Sequence, residues 1–324
     1  MTTQMLISPM TGGVLTRHSD LKSEKVRAYS KHYPPHLYLI CTRPQITIDK
    51  EIMRCERVFV LRFFIHSEKG KETHQMPIFM PDVAHIETKY PYNVLWVFNK
   101  DGTCESWCTA IFYQKYAAGL WPSDMLPGMH DIEYAKLNDY EKSTLKDIDL
   151  EVQYVGKAYG KDGSRIAPDR LKAHEQLPII YDKTQRNAPH LDVWLVLLSF
   201  EPQINHNHLG PESEGDEISV FIKRAGNPSF IEDDYIRTCF TEAALINYFQ
   251  PMLNGPSYKK NFPSKRHKTY QKLYDTPIDL FAFLLDSNAY GGRLSSQHVE
   301  PKYTHYQDYK FNSAAERHLF LSLS

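Results

Sequence analysis

Apolar runs rich in β-branched and aromatic residues recur through the first third of the chain: HLYLIC, ERVFVLRFFIH, MPIFM and NVLWVFN. TRPQ, SEKGKE and NKDGT punctuate them as turns. This pattern predicts a β-rich or α+β region. Residues before about Ser30 read as an irregular leader. ESWCTAIFYQKYAAGLW fits either a helix or two strand pieces, because its periodicity does not separate them. Polar text from Pro127 to Asp149 marks a domain boundary. Beyond it the pattern changes. EVQYVGKA reads as a strand, and PDRLKAHEQL as a short helix with Pro in its first turn. LDVWLVLLSF reads as a strand covered on both faces. TEAALINYFQ reads as a helix stopped by Pro251. Strand, helix, strand, helix gives a small α/β unit from roughly Lys146 to Asn254. A basic, Tyr-containing stretch, the apolar IDLFAFLLD and a Tyr-rich end follow.

Length and charge add limits. The 324 residues suit about two domains, and 42% hydrophobic with 24% charged residues is ordinary for a globular chain. A formal net charge of -1 excludes a wholly basic coat protein but leaves room for a local basic groove. Five cysteines, an odd number in a long chain, imply no disulfide framework. Cys104 and Cys108 have no second pair to complete a zinc site and read as free thiols in a reducing cytosol. No signal peptide is read at the start, and no apolar run reaches the ~20 residues a membrane helix needs. The expectation is a cytoplasmic protein with no membrane partner.

The candidate chemistry lies in the central unit. Tyr154 shares a strand face with Gly156, whose missing side chain leaves room for a ligand or another backbone. Arg170 and His174, four apart on the predicted helix, share one face. Arginine grips phosphate through a planar fork of donors, and histidine donates or transfers a proton near neutral pH. Counting from Glu242, Leu245, Ile246 and Phe249 form the core stripe, so this carboxylate also faces inward. Such a group needs a partner, for which a divalent ion is one candidate. The first helical turn is the plainer explanation of an acid there. The others have plainer readings too: a core tyrosine, a solvated Lys157, an exposed Arg170 and His174 face, and a turn at Asn254.

In combination these pieces resemble the GIY-YIG nuclease superfamily. YVGKA matches its second half-motif with Val155 for Ile. RLKAH matches the Arg and His of the first helix. EAALINYFQPMLN matches a Glu in an E-x-x-L-I helix followed by Pro and Asn. The first half-motif, GIY, expected about ten residues before YVG, is not found in DYEKSTLKDIDL; Tyr140 is badly placed for it, and a first strand from elsewhere in the chain is the alternative. The loop YGKDGSRIAPD is long for the family and makes Arg165 a rival to Arg170. Arg170 is preferred for its helical spacing to His174.

The resemblance implies an α+β protein. A β-rich target-recognition or regulatory domain would span 1–145, a GIY-YIG-like nuclease domain 146–256, and a basic, Tyr-rich extension 257–324. It implies a Mg²⁺- or Mn²⁺-dependent endonuclease acting on DNA, with RNA and a homo-oligomer both compatible, of a restriction-like or phage-defence kind. Glu242 would ligate the metal, and Arg170 would bind the scissile phosphate. Tyr154 would position or deprotonate the attacking water, helped by Lys157 because a free Tyr titrates near ~10. His174 would bond Tyr154 or the phosphate, and Asn254 would hold the site together. Lys161, Arg165, Lys259, Lys260, Lys265, Arg266 and Lys268, interleaved with aromatic residues, would hold nucleic acid. A catalytically degenerate binding module is the alternative. NHNH at 205–208 reads as loop.

Overall fold

The computed structural model describes residues 3–10, 12–55, 57–117, 148–160, 162–200, 228–230, 233–254, 278–290 and 292–311. The strands among them are β1 (Thr3–Met10), β2 (Gly12–Thr16), β3 (Leu37–Pro44), β4 (Ile46–Ile48), β5 (Met53–Cys55), β6 (Val58–Ser67), β7 (Gly70–Phe79) and β8 (Val83–Thr88). They continue with β9 (Val94–Asn99), β10 (Cys104–Cys108), β11 (Leu150–Lys157), β12 (Leu191–Ser199), β13 (Pro228–Phe230), β14 (Leu280–Asp286), β15 (Leu294–Ser295) and β16 (Thr304–Lys310). The α-helices are α1 (Glu24–His32), α2 (Thr109–Ala117), α3 (Ala167–Lys172), α4 (Gln176–Asn187) and α5 (Asp234–Phe249). The protein is thus mixed α/β and rich in strands. Among the described residues no helix is long and apolar enough to cross a membrane, which leaves strand-built membrane proteins aside.

The chain divides into two units, and the division differs from the expected one. One unit takes residues 1–42, 149–180 and 193–324; the other takes 43–148 and 181–192. The β-rich unit is therefore inserted between two adjacent strands of the other, not placed before it. The supposed leader supplies β1, β2 and α1, and the supposed extension supplies β14, β15 and β16 to the same unit. The reason is pairing. β1 runs parallel to β14 over Met5↔Leu280 to Met10↔Leu285, so the first strand is completed only by residues 275 positions later.

In the inserted unit, β6 is the spine. Its alternation buries Phe59, Leu61, Phe63 and Ile65 on one face. Strands β4, β5 and β7 pair with it antiparallel. A second sheet, β10-β9-β8, is an antiparallel meander. The segment ESWCTAIFYQKYA resolves into β10 and α2. Cys104 and Cys108 stand at opposite ends of β10 as free thiols, too far apart along a strand to share one metal ion.

The other unit carries two sheets, β15-β11-β3-β12-β2 and β13-β1-β14-β16. Helix α5 packs against β11 of the first and β1 of the second. That double contact explains why ten of its residues are buried, from Thr238 to Ile246 and at Phe249. The helix starts at Asp234, eight residues before Glu242. Asp233 caps it by accepting the Ile236 N–H at 2.9 Å. Glu242 therefore lies mid-helix, and the first-turn dipole explanation for this acid does not apply.

Candidate functional site

The strand that pairs with YVG comes from far upstream. Strands β3 and β11 are antiparallel neighbours, with Gly156 opposite Tyr38 and Tyr154 opposite Ile40. Gly156 leaves a gap, and the Tyr38 ring fills it. A Cβ at 156 would lie 2.5 Å from both Cζ and Oη of Tyr38 and 2.8 Å from Cε1 of Tyr154. The expected space for a ligand or backbone is thus taken by a side chain. Tyr38 and Tyr154 are stacked with centroids 6.3 Å apart. The His174 ring meets both edge-on, at 5.7 Å from Tyr38 and 5.4 Å from Tyr154.

Arg170 lies close enough to Tyr38 for its charge to act on the phenol. It does so without sharing a helix face with His174. Helix α3 ends at Lys172, and His174 lies in the link before α4. Pro178 keeps α3 and α4 from joining as one helix, since it has no N–H to give the His174 carbonyl and its ring would strike that carbonyl. The helical-spacing reason for preferring Arg170 over Arg165 therefore falls, although Arg170 is the one that reaches the tyrosine cluster. Arg165 is exposed, and its backbone carbonyl accepts from His36 Nδ1 at 3.3 Å. Its amide bonds the Tyr159 carbonyl to close the YGKDGSR loop.

The electrostatics of the cluster are unequal. Burial, then Tyr154 and Glu242, push the Tyr38 hydroxyl well above the ordinary tyrosine range, with Arg170 opposing. Tyr38 is a phenol, not a phenolate, at neutral pH. His174 is lowered to about 4, first by burial and then by the Arg170 charge, with Glu175 opposing. It is neutral at pH 7. Its Nδ1 accepts the Leu177 N–H at 3.1 Å, which puts the ring proton on Nε2 and makes that nitrogen a donor.

Lys157 and Glu242 form a nearly buried ion pair. Nζ and Oε2 are 2.9 Å apart, and the side chains are 16% and 10% exposed. The ammonium also donates to Cys239 Sγ at 3.4 Å, one turn before Glu242 on α5. Burial raises the Cys239 thiol to about 11 despite the Lys157 charge.

Asn254 secures the strand. After α5 ends in a left-handed Gln250, the turn through Pro251 returns the chain to β11. On β11, strand β15 reaches Leu150 and Glu151. Further along β11, Leu253 N–H bonds the Gln153 carbonyl at 3.0 Å. Asn254 then accepts the Val155 N–H at 2.8 Å and donates to the Val155 carbonyl at 2.9 Å. One side-chain amide thus stands in for a neighbouring strand.

Tyr154, Lys157, Arg170, His174, Glu242 and Asn254 therefore gather on and around β11, together with Tyr38, which the sequence reading passed over. Its signal was the polar ring inside HLYLIC, hidden by the insertion between β3 and β11. The nucleic-acid candidates Lys161, Lys259, Lys260, Lys265, Arg266 and Lys268 lie outside the described residues, as does NHNH. Among the described residues no group of three or more His, Cys, Asp or Glu side chains could cage a metal. Glu242 brings a single carboxylate to this cluster, held by the Lys157 ammonium. One such group suits Mg²⁺, which keeps several waters and takes one or two carboxylates together with substrate phosphate. Compared with protein-family models, curated proteins and solved structures, the chain matches none.

Proposed function

We propose that the unit containing β3, β11 and α5 is a divalent-metal-dependent nuclease of GIY-YIG type, cutting nucleic-acid phosphodiester bonds with DNA as the first substrate to test. One observation carries this reading. Polar residues from four separated segments, at 38, 154–157, 170–174 and 242, come from β3, β11, the α3–α4 region and α5, where a Tyr-bearing strand stands antiparallel to YVG. In this reading Tyr38 supplies the half-motif that the sequence lacks upstream of YVG.

Each side chain then has a task its geometry allows. Arg170 offers a fork of donors to the scissile phosphate and offsets developing charge. Neutral His174 donates from Nε2 and takes no proton at pH 7, because its titration lies near 4. Tyr38 remains protonated and acts as a hydrogen-bond donor, which leaves Tyr154 to orient the attacking water. Asn254 acts through the backbone of Val155. Glu242 would hold Mg²⁺ or Mn²⁺, and such an ion stabilises a leaving oxygen. Tests begin with supercoiled plasmid and Mg²⁺ or Mn²⁺, comparing the native chain with Glu242→Gln. Nicked or linear product from the native chain alone supports the proposal. Intact plasmid under every metal condition removes it.

A second reading has its own support. The Lys157 ammonium already sits on Glu242, as in a degenerate site that grips nucleic acid without cutting it. Retarded DNA migration with no product under any metal condition selects this reading.

A further inference from the structure

We infer that Lys157 is a resident cation that competes with the divalent ion for Glu242, so that metal loads efficiently only when nucleic-acid phosphate draws the ammonium away. The inference rests on the reading of Glu242 as the metal carboxylate. Its basis is geometric. The ammonium lies 2.9 Å from Oε2, inside the space a carboxylate-bound cation would need, and both side chains are largely screened from water. Its stem rises from β11 while the carboxylate comes from the stretch of α5 that is buried from Thr238 to Ile246. Cys239 Sγ bounds the ammonium on another side at 3.4 Å. That thiol stays protonated at neutral pH and supplies no second anion.

A divalent ion arriving at Glu242 meets the ammonium at a few ångströms in a poorly solvated setting. Repulsion at that distance exceeds what a tenfold change in affinity requires. A phosphodiester offers the flexible lysine another anion near the same strand. Metal and substrate then favour one another by relieving the same ion pair, which is a coupling between two ligands in the thermodynamic sense.

The test reads metal binding instead of cleavage. Mn²⁺ is titrated into the full-length, metal-stripped protein without nucleic acid, and free Mn²⁺ is followed by electron paramagnetic resonance. Lys157→Met and Lys157→Gln should each bind Mn²⁺ about tenfold or more tightly than the native chain. Lys157→Arg should stay weak. A phosphorothioate oligonucleotide that resists cleavage should tighten Mn²⁺ binding to the native chain and have little effect on Lys157→Met. Using both neutral variants, each checked by thermal melting, prevents one misfolded protein from deciding the outcome. Neutral variants that fold yet bind Mn²⁺ no more tightly than the native chain overturn the inference. If Glu242→Gln binds Mn²⁺ as well as the native chain does, the metal role of Glu242 itself fails, a result distinct from failure of the competition.

Discussion

Two histidine–tyrosine clusters lie in the unit that holds helix α5, and their difference is instructive. Toward β3 and β11, His174 meets Tyr38 and Tyr154. Toward β14 and β16, His305 meets Tyr248 and Phe249, with ring centroids at 5.6 and 5.1 Å. Both histidines are buried, and burial lowers both to about 4. Yet the second cluster is closed upon itself. His305 Nδ1 takes the Tyr248 hydroxyl at 3.2 Å, and Nε2 reaches the Lys302 carbonyl at 3.0 Å. The first feels the charges of Arg170 and of Glu242, the latter paired with Lys157. A displaced histidine titration therefore marks burial, not function. Charged groups that would be expensive to keep from water unless used are the distinguishing feature of the β11 side.

The sharpest way to break this contrast is to remove the charges. Lys157→Met should cost about 3 kcal/mol by leaving Glu242 nearly buried without its cation. Lys157→Met combined with Glu242→Leu should recover most of that loss, since a buried pair replaced by apolar groups is often neutral. Chemical denaturation of the singles and the double measures the coupling. If the three variants show simply additive losses, the pair is not the organising feature proposed. Gly156→Ala comes next, at about 2 kcal/mol, because the new methyl overlaps the Tyr38 ring. Thermal melting should show the loss, and near-ultraviolet circular dichroism the displaced tyrosine. An unchanged spectrum would mean that the ring has an easier place to go.

What the sequence disclosed follows the range over which each signal acts. The strand at EVQYVGKA, the buried LDVWLVLLS strand and the inward face of Glu242 are written in local periodicity, and they were legible. The halves of the β3–β11 pair lie more than a hundred residues apart, and no local pattern announces such an insertion. In the sequence Tyr38 is consequently one more aromatic in an apolar run. The pairing of β1 with β14 was hidden for the same reason. Other misses were local and avoidable. Pro178 forbids an unbroken helix running from Arg170 through His174 and onward, and Asp233 signals that α5 begins well before Glu242.

On the closed side the effects should be smaller. Tyr248→Phe removes the hydroxyl that His305 Nδ1 uses and should cost about 1 kcal/mol in denaturation measurements. Both histidines also shape the acid limb of stability in the same direction. Each titrates near 4 in the folded chain against 6.5 in the unfolded one, so the unfolded chain takes protons first as pH falls. Their contribution is complete above about pH 6.5 and is lost as pH drops toward 4. Asn at either position should flatten that window. A limb as steep in both variants as in the native chain would assign acid sensitivity to other groups.

The smallest effect separates the clusters most cleanly. Arg170 lowers the His174 titration after burial does, whereas Lys302 carries the corresponding charge near His305. Arg170→Met should therefore raise the His174 pKa above about 4 and leave His305 where it is. Imidazole proton or carbon shifts followed through acid titration by nuclear magnetic resonance resolve the two rings. A rise confined to His174 shows that the arginine's field reaches the ring across the cluster, as a shared phosphate pocket requires. If neither ring moves, Arg170 directs its charge elsewhere, and the site loses the residue assigned to the scissile phosphate while its buried Lys157–Glu242 pair stays intact.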